Sequence, residues 1–268
     1  MSGQPAARIH PTAIVDPDAQ LAPDVRVGAY SVIGPGVRIG SGTAVAAHVV
    51  ISGLTTIGAD NRIFPFCSIG TEPQDKKYAG EPTALQIGDG NTIREYCFIN
   101  TGTAQGGGTT RIGSDNWIMG HTHVAHDCVL GDHIVMANAV PLAGHVSVGD
   151  WAVIGGTSAV HQFVRIGAHA MCGGGTIMTM DVPPFVLAGG FPAEPHGINA
   201  EGLKRRGYSA ESIAALRQAY RLIYRENLPL AEACAAIEAL AAESAEGAAE
   251  PLRQLAKFLA ESTRGIIR

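Results

Sequence analysis

Aliphatic residues return at every sixth position along the first two-thirds of the chain. From Ile9 the step passes through Val15, Leu21, Val27, Ile33, Ile39, Val45, Ile51, Ile57, Ile63 and Ile69 without a polar exception. Residues 71–86 interrupt the frame, which resumes in phase at Ile87, Ile93 and Ile99. A second interruption, over 104–111, shifts it by one. It then runs through Ile112, Ile118, Val124, Leu130, Met136, Leu142, Val148, Ile154, Val160, Ile166, Cys172 and Met178. Glycine often follows the aliphatic, and the position four after it is usually small or β-branched, as at Ala13, Ser31, Thr43, Val49 and Cys67. This is the hexapeptide pattern of a parallel β-helix. Each hexad predicts a short strand and a turn, and three hexads of 18 residues close a triangular coil. The aliphatics point into the prism, where stacked coils bury them. Neighbouring coils are expected about 4.8 Å apart. The coil is expected to be left-handed, an exception to the usual crossover rule.

Past Met178 the period stops. Asp181-Val-Pro-Pro-Phe and Phe191-Pro-Ala-Glu-Pro mark an exit, and helical patterns follow. Ser209 is placed as the N-cap of a helix over 210–225, with Ile213, Leu216, Tyr220 and Ile223 on one face; further helices are expected over 230–245 and 251–263. The predicted organisation is mainly β: a left-handed β-helix over 1–190, carrying insertion loops at 71–86 and 104–111, then a C-terminal α-helical domain over 191–268. The flat faces of such a prism usually pair with other copies, so a homotrimer is expected.

Composition agrees with this reading. Glycine supplies 34 of the 268 residues and aromatics only 15, which suits many tight turns around medium-sized side chains. The net charge of −5 gives no global basic field, so nucleic acid is not an expected partner. Residues 1–198 hold 9 Lys/Arg against 15 Asp/Glu, while 199–268 hold 10 against 9, so a local basic patch belongs in the tail. No stretch suits a membrane span, and the N-terminus lacks the profile of a secretory leader. Five cysteines without a CxxC favour reduced, packing thiols and a cytoplasmic location.

The chemistry concentrates in the last coils. His121, His123, His126, His133, His145, His161 and His169 fall within fifty residues. The hexads starting at Val124, Leu142 and Val160 are 18 apart and stack in successive coils, so His126, His145 and the pair His161-Gln162 should climb one ridge, with His123 at the preceding corner. Three readings compete for such a ridge. Its histidines could simply solvate an edge. They could hold zinc, as in hexapeptide enzymes of the gamma carbonic anhydrase type. Or one of them could act as a general base poised near neutral pH. His126-Asp127 supplies a base beside a carboxylate. The chain lacks a nucleophile-bearing motif, which suits direct transfer to a hydroxyl. Neither Gly106-Gly-Gly nor Gly173-Gly-Gly is followed by the Lys-Ser/Thr of a phosphate loop.

Several segments together carry a resemblance. They are Ile118-Met-Gly-His-Thr-His-Val-Ala-His-Asp-Cys, Leu142-Ala-Gly-His-Val-Ser-Val, Ile154-Gly-Gly-Thr-Ser-Ala-Val-His-Gln-Phe and Asn199-Ala-Glu-Gly-Leu-Lys-Arg-Arg-Gly. With the insertion from Gln74 and the ending Ser262-Thr-Arg-Gly-Ile-Ile-Arg, they resemble the acyl-carrier-protein:UDP-N-acetylglucosamine O-acyltransferase family, whose reaction opens lipid A biosynthesis. The resemblance spans essentially the whole chain and implies that His126 is the base. It implies that Asp127 orients His126, and that the Gly144 N–H stabilises an oxyanion. His123 and His145 would hold sugar and acyl groups, and Gln74, Asp75 and Lys77 would reach the nucleotide sugar at a subunit cleft. His161 and Gln162 match further substrate contacts, and Gly174 falls where the acyl pocket ends. Asn199, Glu201, Arg205 and Arg206 match the uridine- and phosphate-binding segment; two guanidiniums suit a diphosphate.

No cofactor or metal is implied, because the acyl donor rides on the phosphopantetheine of acyl carrier protein. The acceptor would be UDP-N-acetylglucosamine or its 3-amino analogue. The acidic carrier would dock on Lys204, Arg205, Arg206, Arg217 and Arg221, with affinity falling as salt rises. Gly120-His121, Asn100-Thr101 and Phe191-Pro192 depart from the family pattern near the acyl and sugar path. A related sugar-nucleotide N-acyltransferase is a rival, but it carries a uridine-binding domain before the prism, whereas the hexads here begin at Ile9.

Overall fold

Each hexad does form a two- to four-residue strand that contains its aliphatic and in most cases ends on it, and each strand pairs in parallel with the equivalent strand one coil further on. Arg26 and Val27, for example, lie opposite Ala44 and Val45. The computed structural model describes residues 8–268. Residues 1–7, part of the N-terminal stretch compared above with a leader profile, lie outside the described residues. The strands build three faces of a prism: a first of 11 strands, a second of nine and a third of eight. Corner I joins the first face to the second, corner II the second to the third, and corner III the third to the first face of the next coil.

The aliphatic column fills the interior, with Ile33, Ile51, Ile57, Ile63, Ile69, Ile93, Ile99 and Ile118 essentially inaccessible. The terminal coil of the described rod is the exception, because the column is open at that end: Ile9 is 42% exposed, and Val15 and Leu21 are only half-buried. Some buried corner positions are polar, and they are satisfied along the rod. At corner III the Asn61 Oδ1 accepts the Asn91 N–H (2.9 Å), Asn91 Oδ1 accepts the Asn116 N–H (2.9 Å), and Asn116 Oδ1 accepts the Ile134 N–H (2.7 Å). Each asparagine thereby supplies an acceptor that the turn backbone would otherwise lack.

Both insertions leave corner II, in consecutive coils; the first is shorter than the broken frame implies, and the second keeps its length but lies three residues earlier. Thr71 still belongs to the strand Ser68–Thr71, and Ala84–Ile87 is already strand, paired with Leu54–Ile57 on one side and Thr109–Ile112 on the other. Leu85 and Ile87 point inward, so alternation restores the register before the six-residue frame is visible. The looped segments are therefore 72–83 and 101–108.

At the far end, Val186–Gly189 adds to the first face and pairs antiparallel with Glu194–Ile198. Residues 191–198 thus sit with the sheet, and helices start with α1 (Ala200–Arg205). They continue with α2 (Ala210–Tyr224), α3 (Leu230–Glu243) and α4 (Glu246–Ala260). Ser209 caps α2 by accepting the Ser212 N–H. Helix α4 starts five residues earlier than proline placement suggests. Pro251 removes the bond to the carbonyl four residues back, but that carbonyl, of Gly247, accepts the Ser212 hydroxyl at 2.7 Å instead.

The C-terminal tail is stitched to the last coil through Asp181, which is wholly buried. Its carboxylate accepts the Arg165 N–H and the Ser262 hydroxyl, each at 2.8 Å, and its backbone bonds Gly265 and Ile267. Asp181→Ala strands two donors and should lower stability by about 2–4 kcal/mol, read as a fall in the thermal midpoint.

Candidate active site

Corner II carries reactive side chains in five consecutive coils: the first insertion, the second, His126-Asp127, Gly144-His145 and His161-Gln162-Phe163. Registry decides which of them meet. The second turn residue of these last coils is left-handed, with φ of 60° at Asp127, 62° at His145 and 65° at Phe163. These three stack, so the ring above His145 is Phe163 (centroids 4.6 Å apart, planes 15° apart). His161 sits two residues earlier in its turn. It is exposed, with Nδ1 3.0 Å from the Gln162 carbonyl and 3.4 Å from the Arg264 Nη2. The expected meeting of imidazoles from three coils is thus a meeting of two, His126 and His145, in an edge-to-face pair at 5.1 Å.

His126 Nδ1 lies 2.8 Å from Asp127 Oδ2. An ionised carboxylate only accepts, so Nδ1 donates and Nε2 is left with its lone pair. Asp127 has 1% side-chain exposure against 14% for His126, a buried anchor under an accessible base. The carboxylate is held from the coil below: the Thr103 N–H donates to Oδ1 (2.9 Å) and the Thr103 hydroxyl to Oδ2 (2.6 Å). The Asp127 N–H donates to Thr110 Oγ1 at 2.8 Å. His145 Nε2 stands 3.7 Å from the same Oδ2.

Gly144 is in register with His126, one coil on. A Cβ there would lie 2.6 Å from Nε2, inside the ring's contact surface, so the position requires glycine. Its carbonyl accepts the Phe163 N–H, while among the described residues its own N–H makes no hydrogen bond. A base with a free lone pair therefore adjoins an unengaged N–H donor.

The ligand atoms of His126, Asp127 and His145 lie within 4.8 Å of one another, the spacing a metal reading would need. Their chemistry is that of a hydrogen-bonded dyad instead. Nδ1 and Oδ2 face each other directly, and the carboxylate already takes two donors from Thr103.

Asp75 adjoins the dyad. It accepts the Lys77 N–H (2.9 Å) and the Gln105 side-chain amide (3.1 Å), and the Lys77 bond, with His126 and Gln105 adding to it, holds its carboxyl below the ordinary range. Gln74 and Lys77 are exposed on the same loop. His123 lies in the strand before the corner rather than at one, stacked on Phe98 at 3.8 Å. Burial, with the nearby His126, keeps the His123 imidazole below its usual pKa despite the Phe98 carbonyl on Nδ1.

The remaining sequence candidates lie elsewhere on the same chain, at corner I and on α1 beside corner III. Gly174 is exposed at corner I. Asn199 caps α1, accepting the Gly202 N–H and donating to the His169 carbonyl, so both ends of its amide are used within the chain. Glu201 pairs with Lys204 at 2.7 Å, and Arg205 is exposed. Arg206 lies over the Trp151 ring (5.1 Å) and donates to its carbonyl, so the two guanidiniums do not form one fork. Beside it, burial and Arg206 push His169 down to about 4. Sequence reasoning missed Thr103, Thr110 and Gln105. A carboxylate at a buried turn position demands donors from the coil below, and that demand was the available signal.

Stacked hexads bearing an imidazole–carboxylate pair at one corner define a hexapeptide-repeat transferase. Consistent with this class, the bacterial transferase hexapeptide model matches residues 6–41 and 18–53, and the UDP-N-acetylglucosamine O-acyltransferase domain 2 model matches 181–267. The chain is similar to the acyl-[acyl-carrier-protein]–UDP-N-acetylglucosamine O-acyltransferase of Herminiimonas arsenicoxydans, with 60% identity over 97% of this chain and 99% of that one. It is 58% identical to the enzyme of the same name from Thiobacillus denitrificans, over 98% and 100%. The crystal structure of UDP-N-acetylglucosamine O-acyltransferase from Moraxella catarrhalis superposes with a TM-score of 0.93 at 44% identity, covering 97% of this chain and 99% of that one. The chain belongs to the acyl-[acyl-carrier-protein]–UDP-N-acetylglucosamine O-acyltransferase family, and it is an acyltransferase. Among the described residues no helix is long and apolar enough to cross a membrane.

Proposed function

We propose that the chain moves a 3-hydroxyacyl group from acyl carrier protein to the 3-position of UDP-N-acetylglucosamine, or of its 3-amino analogue, as the first step of lipid A biosynthesis. The observation that carries this reading is the His126 Nε2, freed by the bond from Nδ1 to Asp127 and adjoining the Gly144 N–H. Nε2 takes the proton of the sugar hydroxyl as its oxygen attacks the thioester carbonyl. The carbonyl oxygen gains charge and accepts the Gly144 N–H. Collapse breaks the carbon–sulfur bond, and the departing phosphopantetheine thiolate takes the proton back from His126. No cofactor is required, since the donor brings its own pantetheine.

The dispersal of the other candidates over corner I and α1, which packs beside corner III, supports a site shared between copies, in a homotrimer. The outward residues of the second face favour this: Ile14, Val32 and Val50 are 66%, 37% and 40% exposed, and Pro141, Ala159 and Ile177 continue the uncharged row. Along its edge, at corner I, runs an exposed stack of Tyr30, His48, Phe66, Tyr96 and His121, with neighbouring ring centroids 4.9–5.3 Å apart. Such surface is expensive to leave wet. An acyl chain starting at His126 would cross Pro141 and Ala159 toward Gly174, three coils on, a rise of about 14 Å. Asp75 and Lys77 would contact the nucleotide sugar with Gln74, and His123, His145, His161 and Gln162 would line the path. Asn199, Glu201, Arg205 and Arg206 of one copy would meet the nucleotide.

Exposed Arg217 and Arg221, one turn apart on α2, with Lys204 and Arg205, form a basic surface suited to an acidic carrier. A cytoplasmic location fits the five free, buried cysteines. The left-handed turn of the coil belongs to the same reading.

A ladder of 3-hydroxyacyl carrier proteins, offered to both the hydroxyl and the amino form of the nucleotide sugar with products weighed by mass spectrometry, tests the proposal. One acyl length should dominate with one acceptor. An absence of acylated sugar with every donor would remove it.

A further inference from the structure

Thr103, in the second insertion, makes two bonds to Asp127 that nothing in the proposed reaction requires of a loop. Its side chain is buried, its N–H donates to Oδ1 at 2.9 Å and its hydroxyl to Oδ2 at 2.6 Å. The His126 Nδ1 shares that Oδ2 at 2.8 Å. A carboxylate turns about its Cβ–Cγ bond, and one donor leaves it free to pivot; one donor on each oxygen fixes the plane. The alternative partner is close at hand, because His145 Nε2 is only 3.7 Å from the same oxygen. The loop is shaped around this contact. A Cβ on Gly102 or Gly106 would strike the carboxylate, and the Thr103 Oγ1 also accepts the Gly106 N–H at 3.2 Å, which closes the turn Ala104–Gly106.

We propose that Thr103 is a positioning residue: its hydroxyl locks the Asp127 carboxylate onto His126 Nδ1 and away from His145, so the base presents Nε2 in the productive tautomer and direction. This rests on the general-base reading of His126. It makes the second insertion part of the catalytic apparatus, although no atom of Thr103 touches substrate.

The experiment compares Thr103→Val and Thr103→Ser with the wild-type trimer or monomer as purified, in steady-state kinetics with acyl carrier protein donor and nucleotide sugar. Valine keeps the shape and removes the donor. Its kcat should fall about 10-fold or more, with KM for both substrates within about two-fold, the split expected when only the transition state is affected. Serine keeps the hydroxyl and should stay within about three-fold of wild type. In an Asp127→Asn background, Thr103→Val should add nothing further, because its effect runs through that carboxylate.

Wild-type turnover in Thr103→Val would overturn the proposal, as would full additivity with Asp127→Asn. If the valine variant does not fold, a serine variant as impaired as His126→Ala overturns it equally. His126→Ala in parallel separates the two levels of the argument. An active His126→Ala removes the base itself, whereas an inactive one beside a fully active Thr103→Val removes only the role of Thr103.

Discussion

Replacing His126 by alanine should lower kcat by at least about 100-fold while the rod stays folded. The ring is half-buried at a corner and contributes no part of the aliphatic column, so circular dichroism and the thermal midpoint should stay close to wild type. On the proposed mechanism, what is lost is the acceptor for the hydroxyl proton. His145 is a poor substitute, since its Nε2 already faces Asp127 and its other face lies against Phe163. Steady-state turnover with saturating donor and acceptor checks this; an unchanged kcat would sink the general-base mechanism.

Gly144→Ala should be nearly as damaging, by about 100- to 1,000-fold in kcat, for two reasons that act together. The added methyl would overlap the His126 ring and drive it off Asp127. The displaced turn would also misdirect the N–H meant for the oxyanion, and losing one such donor alone costs roughly 100-fold or more. The backbone around Gly144 is otherwise held by strand bonds, with Ala143 donating to Val160 and His145 to His126, so the damage should stay local. Binding of carrier protein should persist, measured by titration of the variant with acyl carrier protein, and a variant that turned over normally would place the oxyanion elsewhere.

The prism was legible because six-residue spacing has one physical solution: an inward aliphatic per strand, one strand per face. The same rule that exposed the fold blurred the insertions, since a frame counted in sixes cannot register Leu85, which is buried by simple alternation inside Ala84–Ile87. Ser209 was legible as a cap because its chemistry is local. The start of α4 was not, because Pro251 is tolerated only through a hydroxyl from a distant helix, that of Ser212. The same distinction governs the site. His126 and Asp127 are chain neighbours and could be read as a pair. Which ring joins His145 depends on turn position, and Phe163, not His161, holds the matching slot. Thr103 was invisible because it is 24 residues from the carboxylate it grips, across a loop that looked like a mere break in the pattern. Arg205 and Arg206 are adjacent in sequence, yet Trp151 draws only one of them inward.

Corner II behaves as a mounting rail. Two successive coils let the chain leave after the second face, wander, and re-enter the third face with Ala84 and Thr109 opposite each other, as if nothing had intervened. Loops of other lengths grafted between the same exit and entry strands would therefore change what overhangs the dyad without disturbing the rod beneath. New acceptor preferences could be selected from loop libraries confined to 72–83 and to 104–108, with Thr103 kept as the fixed bolt.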